Sequence, residues 1–216
     1  MYNKIRLLFM VFIAITVWFG LILQFCISIP GYLATGFTLI GSIIQILSFF
    51  TIECNLLIAV MLVFILLAPG SSPGKLFSNF SFLTAAAVYI TIVGLIYNVI
   101  LRQLWQPEGL FKLTDDLLHT VVPVLFVLFW LIFVSKRPLQ WRGLLGWALF
   151  PLSYLFYSLS RGAVTGLYPY NFIDAKQLGY PQTFINSFFV LIAFLIISSI
   201  FIGISRLLTG TIKAAN

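Results

Sequence analysis

The chain has 216 residues, of which 62% are hydrophobic and only 8% are charged, and its mean hydropathy is +1.12. Soluble domains carry about 25% charged residues, so a soluble globular fold is excluded. The net charge of +7 comes from basic residues scattered singly around apolar runs. That distribution indicates orientation in a membrane rather than binding to nucleic acid.

Six apolar runs along the chain are long enough to cross a bilayer, for which about 20 residues suffice. The runs cover residues 5–29, 40–68, 80–105, 117–134, 144–168 and 184–208. The first run is too long for the roughly 7 to 15 apolar residues of a signal peptide, so we interpret it as a retained span. Turn residues such as Pro30-Gly31 and Gly179-Tyr180-Pro181 separate the runs. The sequence predicts an all-α polytopic membrane protein, a bundle of six transmembrane helices forming one domain over residues 1–216.

The basic residues predict the orientation of these spans. With the N-terminus inside, eight of the 12 Lys and Arg residues are cytoplasmic, the bias that the positive-inside rule describes. The cytoplasmic residues are Lys4, Arg6, Lys75, Lys136, Arg137, Arg142, Arg206 and Lys213, and the outer ones are Arg102, Lys112, Arg161 and Lys176. With six spans, both termini are then expected in the cytoplasm.

Polar residues within the second run are the first candidates for function, because ionisable and polar groups in a bilayer usually face protein or a wet cavity. Ser48, Thr51 and Asn55 fall within about 60° of one another on a helix and form a polar stripe. One interpretation is structural: the hydroxyls bond to their own helix, and Asn55 joins two helices. The other is a reactive site.

His119, the only histidine, opens the fourth run and follows Asp115 and Asp116 by one helical turn. An acid at that spacing can hold the imidazole in one tautomer, although a lone His near an interface also serves as a polar anchor. No Cys/His cluster, phosphate loop or dinucleotide-binding glycine pattern accompanies it. We therefore predict no metal, no cofactor and no nucleic-acid partner.

A third group of polar residues lines one face of the fifth run, at helical spacing. It comprises Tyr154, Tyr157, Ser158, Arg161, Thr165 and Tyr168. Arg161 either extends to lipid phosphate, as long basic side chains near a span end do, or lines a pocket that receives a carboxylate or a polar lipid head group.

Two segments resemble a known family: residues 49–56, Phe-Phe-Thr-Ile-Glu-Cys-Asn-Leu, and residues 118–123, Leu-His-Thr-Val-Val-Pro. They are similar to the six-helix family that contains the androgen-induced gene product and the androgen-dependent TFPI-regulating protein. Members of that family are intramembrane threonine hydrolases of fatty acid esters of hydroxy fatty acids. The resemblance implies that Thr51 is a nucleophile and His119 its base. A prokaryotic relative of this family would be a multi-pass protein of the bacterial inner membrane.

The chemistry of these residue types agrees with that expectation, because a Thr hydroxyl needs a base to remove its proton and neutral His suits that task near pH 7. Asn55 is the leading candidate for the donor that stabilises the oxyanion. Tyr154, Ser158 and Arg161 are further candidates for that role or for binding substrate. The predicted function is an intramembrane hydrolase of lipid or fatty-acyl esters, surrounded by membrane lipids. The alternatives are a non-catalytic carrier or lipid-binding protein and a structural subunit of a larger membrane complex.

One difficulty concerns depth. Thr51 lies about 16 Å along a helix that starts at Ile40, at 1.5 Å per residue, whereas His119 begins its own run. The two side chains meet only if residues 40–47 project outward or if the fourth span enters the membrane lower.

Overall fold

The computed structural model describes residues 2–104, 106–134 and 137–214, and side chains up to residue 209. The predicted end of the third span at Trp105, the cytoplasmic Lys136 and the side chain of Lys213 lie outside the described residues. The described part of the chain folds into helices and turns without a β-strand. The α-helices are α1 (Tyr2–Ala34), α2 (Leu39–Leu47), α3 (Phe50–Leu67), α4 (Ser72–Phe77), α5 (Phe80–Val99), α6 (Gly109–Asp116), α7 (Val122–Phe133), α8 (Gly143–Thr165) and α9 (Ala175–Ala214).

Six helical segments of the described chain are long and apolar enough to cross a membrane. They are Tyr2–Ala34, Phe50–Leu67, Phe80–Gln103, Gly109–Phe133, Gly143–Thr165 and Ala175–Thr209. The prediction of an all-α polytopic membrane protein with six spans is therefore confirmed.

The turn predicted at Pro30 and Gly31 is wrong, because both residues lie inside α1, which continues to Ala34. Proline is tolerated in membrane-spanning helices, where neighbouring groups satisfy the backbone that it leaves unpaired. The chain turns instead at Gly36, whose φ of 91° lies in the left-handed region that favours glycine. At the other predicted turn, Gly179 has a φ of 73° and kinks α9 near its start.

The second apolar run, residues 40–68, is two helices rather than one. Helix α2 ends at Leu47, and its C-cap is Ser48, whose hydroxyl donates to Ile44 O at 2.6 Å; the backbone of Phe49 is extended. Serine that bonds to the local backbone offers the chain an alternative to continuing the helix. Helix α3 then begins at Phe50.

The fourth span begins at Gly109, earlier than the predicted residue 117. Its first part, α6, carries Lys112, Asp115 and Asp116, and these charges kept it out of the apolar run. Between α6 and α7, residues Leu117–Val121 form a π-helical turn. Such turns are rare and are frequent at functional sites.

The chain divides into two compact units, Met1–Ser135 and Lys136–Asn216. In the first unit, the π-helical turn packs against helices α1, α3 and α5. A buried apolar cluster surrounds it, formed by Val17, Leu21, Ile46, Ile52, Ala59, Leu118 and Val122. Helix α1 approaches the turn closely at Gly20, where a Cβ atom would come within 2.9 Å of the Leu118 side chain.

In the second unit, α8 packs against α9, and Asp174 caps the start of α9. The Asp174 carboxylate accepts from the backbone N–H groups of Lys176 and Gln177, at 2.9 and 3.2 Å. Near the other end of α9, Arg206 donates to Leu139 O at 2.9 Å and lies over the Trp141 ring. This pairing fixes the segment that leads into α8.

One buried polar bond between α5 and α7 leads to a prediction about stability. The Trp130 indole N–H donates to the Thr84 hydroxyl at 2.9 Å, and neither residue is exposed. Thr84→Val keeps the shape of the side chain but removes the acceptor, so the free energy of unfolding should fall by about 1 to 3 kcal/mol. Reversible unfolding in mixed micelles measures this change.

The matched control lies on the same helix. Thr91 donates to Ala87 O within α5, so Thr91→Val removes a hydroxyl whose bond joins no second helix. Its expected effect is within about 0.5 kcal/mol. Equal losses for the two variants would contradict a stabilising role for the Trp130–Thr84 bond.

Candidate active site

Thr51 lies in the first turn of α3 and is only 6% exposed. It has this position because the helix is interrupted at Ser48 and Phe49, so that a new helix starts just before Thr51. The N-terminus of a helix is the positive end of its dipole. The depth difference that a continuous second span implied does not arise, since the helix that carries Thr51 begins at Phe50 and not at Ile40.

His119 lies in the π-helical turn, and its imidazole meets Thr51. The distance from His119 Nε2 to Thr51 Oγ1 is 3.2 Å, within hydrogen-bonding range. The two residues are far apart in sequence and come from different spans. The first unit thus brings the two predicted residues together.

The surroundings of the other ring nitrogen define the tautomer. His119 Nδ1 lies 3.1 Å from the backbone oxygen of Asp115 and 3.2 Å from its carboxylate Oδ1. Both are acceptors, so Nδ1 carries the hydrogen. In the neutral imidazole, Nε2 is then an acceptor, and the Thr51 hydroxyl is positioned to donate to it. This is the arrangement that a base requires for taking a proton from a hydroxyl.

Tyr97 holds both Asp115 and the imidazole. Its ring stacks on the His119 ring, with a centroid separation of 4.0 Å and an angle of 20° between the planes. Its hydroxyl donates to Asp115 Oδ2, the oxygen that does not face His119. Tyr97 is 3% exposed. The carboxylate is thereby held between a tyrosine and a histidine, and the imidazole is restricted in its plane.

Of the two acidic residues that the sequence proposed as partners of His119, only Asp115 contacts it in the described structure. Asp116 forms an ion pair with Arg102 at 2.9 Å, and both side chains are substantially exposed. An ion pair in such a position contributes little to stability. Arg102 also donates to Asn98 Oδ1 at 2.9 Å, which links this pair to α5.

Asn55 differs from the expectation that it donates to an oxyanion. Its amide nitrogen donates to two backbone oxygens, Thr51 O at 2.8 Å and Leu118 O at 3.1 Å. The remaining polar atom, Oδ1, is a buried acceptor without a partner among the described residues. Because both amide hydrogens are engaged, neither is left to donate to an oxyanion. The bond to Leu118 O joins α3 to the fourth span, as the structural interpretation of the polar stripe predicted. Ser48 also agrees with that interpretation, because its hydroxyl donates to the backbone oxygen of Ile44 in the helix that it caps.

The remaining candidates, Tyr154, Ser158 and Arg161, belong to α8 in the second unit. Ser158 is buried, whereas Tyr154 and Arg161 are half-buried. Arg161 Nη1 donates to Leu167 O at 3.0 Å and so holds the turn that follows α8. The hydrogen bonds that surround His119, by contrast, are formed by residues of the first unit.

Sequence reasoning missed Tyr97 and Asn98, and it used Arg102 only as a marker of orientation. A signal for them does exist. All three stand at the end of the third apolar run, on the side of the membrane where the fourth run begins, and Asn98 and Arg102 are one helical turn apart. Polar residues at the facing ends of two consecutive spans are therefore candidates for one site.

Among the residues described, no three His, Cys, Asp or Glu side chains come together as a metal-binding group. Comparisons of the chain with protein-family models, with curated proteins and with solved structures find no match. The resemblance to the threonine hydrolases therefore stays a prediction, carried by residues 49–56 and 118–123.

Proposed function

We propose that the protein is an intramembrane hydrolase of lipid or fatty-acyl esters, with Thr51 as the nucleophile and His119 as its base. The observation that carries this proposal is the 3.2 Å approach of Thr51 Oγ1 to His119 Nε2, on the side of the ring opposite to Asp115. A nucleophile, a base and a group that orients the base are the three parts that activate a weak hydroxyl.

In the first step, Thr51 Oγ1 attacks the ester carbonyl carbon while His119 Nε2 accepts the hydroxyl proton. Asp115 stabilises the imidazolium that forms, and the positive end of the α3 dipole favours the negative charge that develops beside Thr51. The tetrahedral intermediate collapses as the carbon–oxygen bond to the alcohol breaks. His119 returns its proton to the departing alcohol, and the acyl group remains on Thr51.

Water completes the reaction. His119 Nε2 accepts one proton from a water molecule while the water oxygen attacks the acyl carbon. The bond from that carbon to Thr51 Oγ1 then breaks, and the proton passes from His119 to Thr51. The products are a carboxylic acid and the alcohol of the first step, and the side chains return to their starting states.

Two features of the first unit support an ester of a long acyl chain. Helix α3 has 18 residues, about 27 Å at 1.5 Å per residue, which is close to the roughly 30 Å thickness of the hydrocarbon core. Thr51 in its first turn therefore lies near the edge of that core, where membrane lipids carry their ester groups. Beside it, α2 exposes the apolar side chains of Leu39, Ile40 and Ile44.

A fluorophosphonate probe tests the proposal. The purified chain, in micelles or nanodiscs, should react with the probe, and mass spectrometry should find the adduct on Thr51. Thr51→Ala should abolish labelling, because the reactive oxygen is lost. The same preparation should hydrolyse p-nitrophenyl esters of medium-chain fatty acids, and pre-labelling should block that hydrolysis.

Thr16→Ala is the matched control, since the Thr16 hydroxyl is exposed and donates only to Phe12 O of its own helix among the bonds described. This variant should label and hydrolyse like the wild type. Wild-type protein that neither labels nor hydrolyses any ester would refute the proposal and favour a non-catalytic carrier or lipid-binding protein.

A further inference from the structure

Pro123 and the π-helical turn before it together leave two carbonyl groups of the fourth span without their usual backbone donors. Proline has no N–H, and the N–H of residue 123 would bond to His119 O in an α-helix or to Leu118 O in a π-helix. The preceding residue, Val122, donates to Leu117 O, five residues back. The chain therefore needs other donors for Leu118 O and His119 O, because a buried carbonyl without a partner is costly.

Two asparagines from neighbouring helices supply these donors. Asn55 of α3 donates to Leu118 O at 3.1 Å, and Asn98 of α5 donates to His119 O at 3.1 Å. Each amide also donates, at 2.8 Å, to the carbonyl one turn earlier in its own helix, Thr51 O or Gly94 O. These second bonds fix each side chain in the conformation that reaches the turn.

Helix α5 must come close for Asn98 to reach His119 O, and Gly94 permits this approach. A Cβ atom on Gly94 would lie 3.1 Å from Pro123 Cβ and 3.3 Å from His119 O, tighter than ordinary van der Waals contact. Two further hydrogen bonds, which the side-chain oxygen of Asn98 accepts, also hold this residue in place. Its Oδ1 accepts from Arg102 at 2.9 Å and from Thr120 at 3.2 Å.

We infer that Asn55 and Asn98 are positioning residues for His119: they take the place of the backbone donors that the π-helical turn and Pro123 together remove, and they hold the turn that aims the imidazole at Thr51. The bond to His119 O acts on the backbone of the histidine itself, which sets the direction of its side chain. The bond to Leu118 O ties this turn to α3 one helical turn beyond Thr51. The effect on turnover rests on the proposed function, whereas the effect on the imidazole does not.

The test uses the full chain in nanodiscs with ¹⁵N-labelled histidine. Because the chain has a single histidine, the two ring-nitrogen signals report only on His119. The wild type should show one neutral tautomer with hydrogen on Nδ1. Asn98→Asp keeps the acceptor for Arg102 and Thr120 but places a carboxylate against His119 O, so it should yield a mixture of tautomers. Turnover should fall by about 10²-fold, the cost of a misplacement of about 1 Å, with KM within about twofold.

Pro123→Ala provides the decisive second change, since it restores one backbone N–H at the two carbonyls. We expect that Pro123→Ala rescues Asn98→Asp, Asn55→Asp or both. In a rescued double variant the single tautomer returns, and turnover is within about threefold of the wild type. Asn186→Asp is the control, because Asn186 also donates to a backbone oxygen, Phe172 O at 2.8 Å. It should leave the His119 signals unchanged.

The inference is overturned if Asn98→Asp keeps the wild-type tautomer, or if Pro123→Ala restores neither Asp variant. Should Asn98→Asp not fold, Asn98→Leu, which matches its shape without a charge, gives the same comparison with and without Pro123→Ala. If wild-type protein hydrolyses no ester, the proposed function fails while the tautomer comparison still decides the inference. If hydrolysis is present and Asn98→Asp alters neither signal nor turnover, the inference alone fails.

Discussion

Thr51→Ala and His119→Ala are each expected to reduce ester hydrolysis by about 10⁴-fold or more, and the double variant is expected to lose little beyond either single one. Residues that act as one catalytic unit are strongly non-additive, because removing either partner already disables the shared step. The distance of 3.2 Å between Thr51 Oγ1 and His119 Nε2 makes such a unit possible. Initial rates with a p-nitrophenyl ester, for four proteins including the wild type, measure the coupling.

Two conservative variants separate catalysis from structure. Thr51→Ser keeps the hydroxyl but loses the β-branch that restricts its rotamer, so it should retain part of the activity. His119→Gln offers hydrogen-bonding atoms of similar reach, yet an amide does not accept the proton, so it should be nearly inactive. All of these variants should unfold at temperatures close to that of the wild type. Stable variants that hydrolyse as fast as the wild type would remove both residues from the mechanism.

The helical membrane fold could be predicted from composition and run length, since a bilayer requires about 20 apolar residues per span and leaves few other architectures. The boundaries were less predictable. The break at Ser48 and Phe49 contains neither Gly nor Pro, and α6 carries three charged residues that hydropathy assigns to a loop. In both places local polar bonding and tertiary packing decide where the helix begins.

The pair Thr51 and His119 was predicted from a resemblance between two short segments, and the structure brings these side chains into contact. The partners from α5 were not predicted. Tyr97 reaches Asp115 and stacks on His119 only because α5 packs against the π-helical turn. Sequence spacing gives the neighbours within one helix, but it does not give the face that a second helix presents. Asn55 was predicted to donate to an oxyanion, whereas its amide nitrogen donates to two backbone carbonyl groups.

Asp115→Asn is expected to lower kcat by about 10²-fold with little change in KM. The amide has no charge with which to stabilise the imidazolium that forms when Nε2 takes the Thr51 proton. In a serine protease, the corresponding change costs about 10⁴-fold because the histidine adopts the wrong tautomer. The loss should be smaller in this protein, because the backbone oxygen of Asp115 also accepts from Nδ1, at 3.1 Å, and survives the substitution.

Asp116→Asn is the matched control for that change. The substitution is the same and the residue is the adjacent acid, but Asp116 pairs with the exposed Arg102 and not with His119. Asp116→Asn should therefore alter kcat by less than about twofold. The kcat of Tyr97→Phe should lie between those of the two Asn variants, since this change keeps the ring that stacks on His119 and removes only the hydroxyl that holds Asp115. Steady-state rates of the three variants provide the measurement. Equal rates for Asp115→Asn and Asp116→Asn would show that Asp115 does not act through His119, and the orienting role would have to be withdrawn.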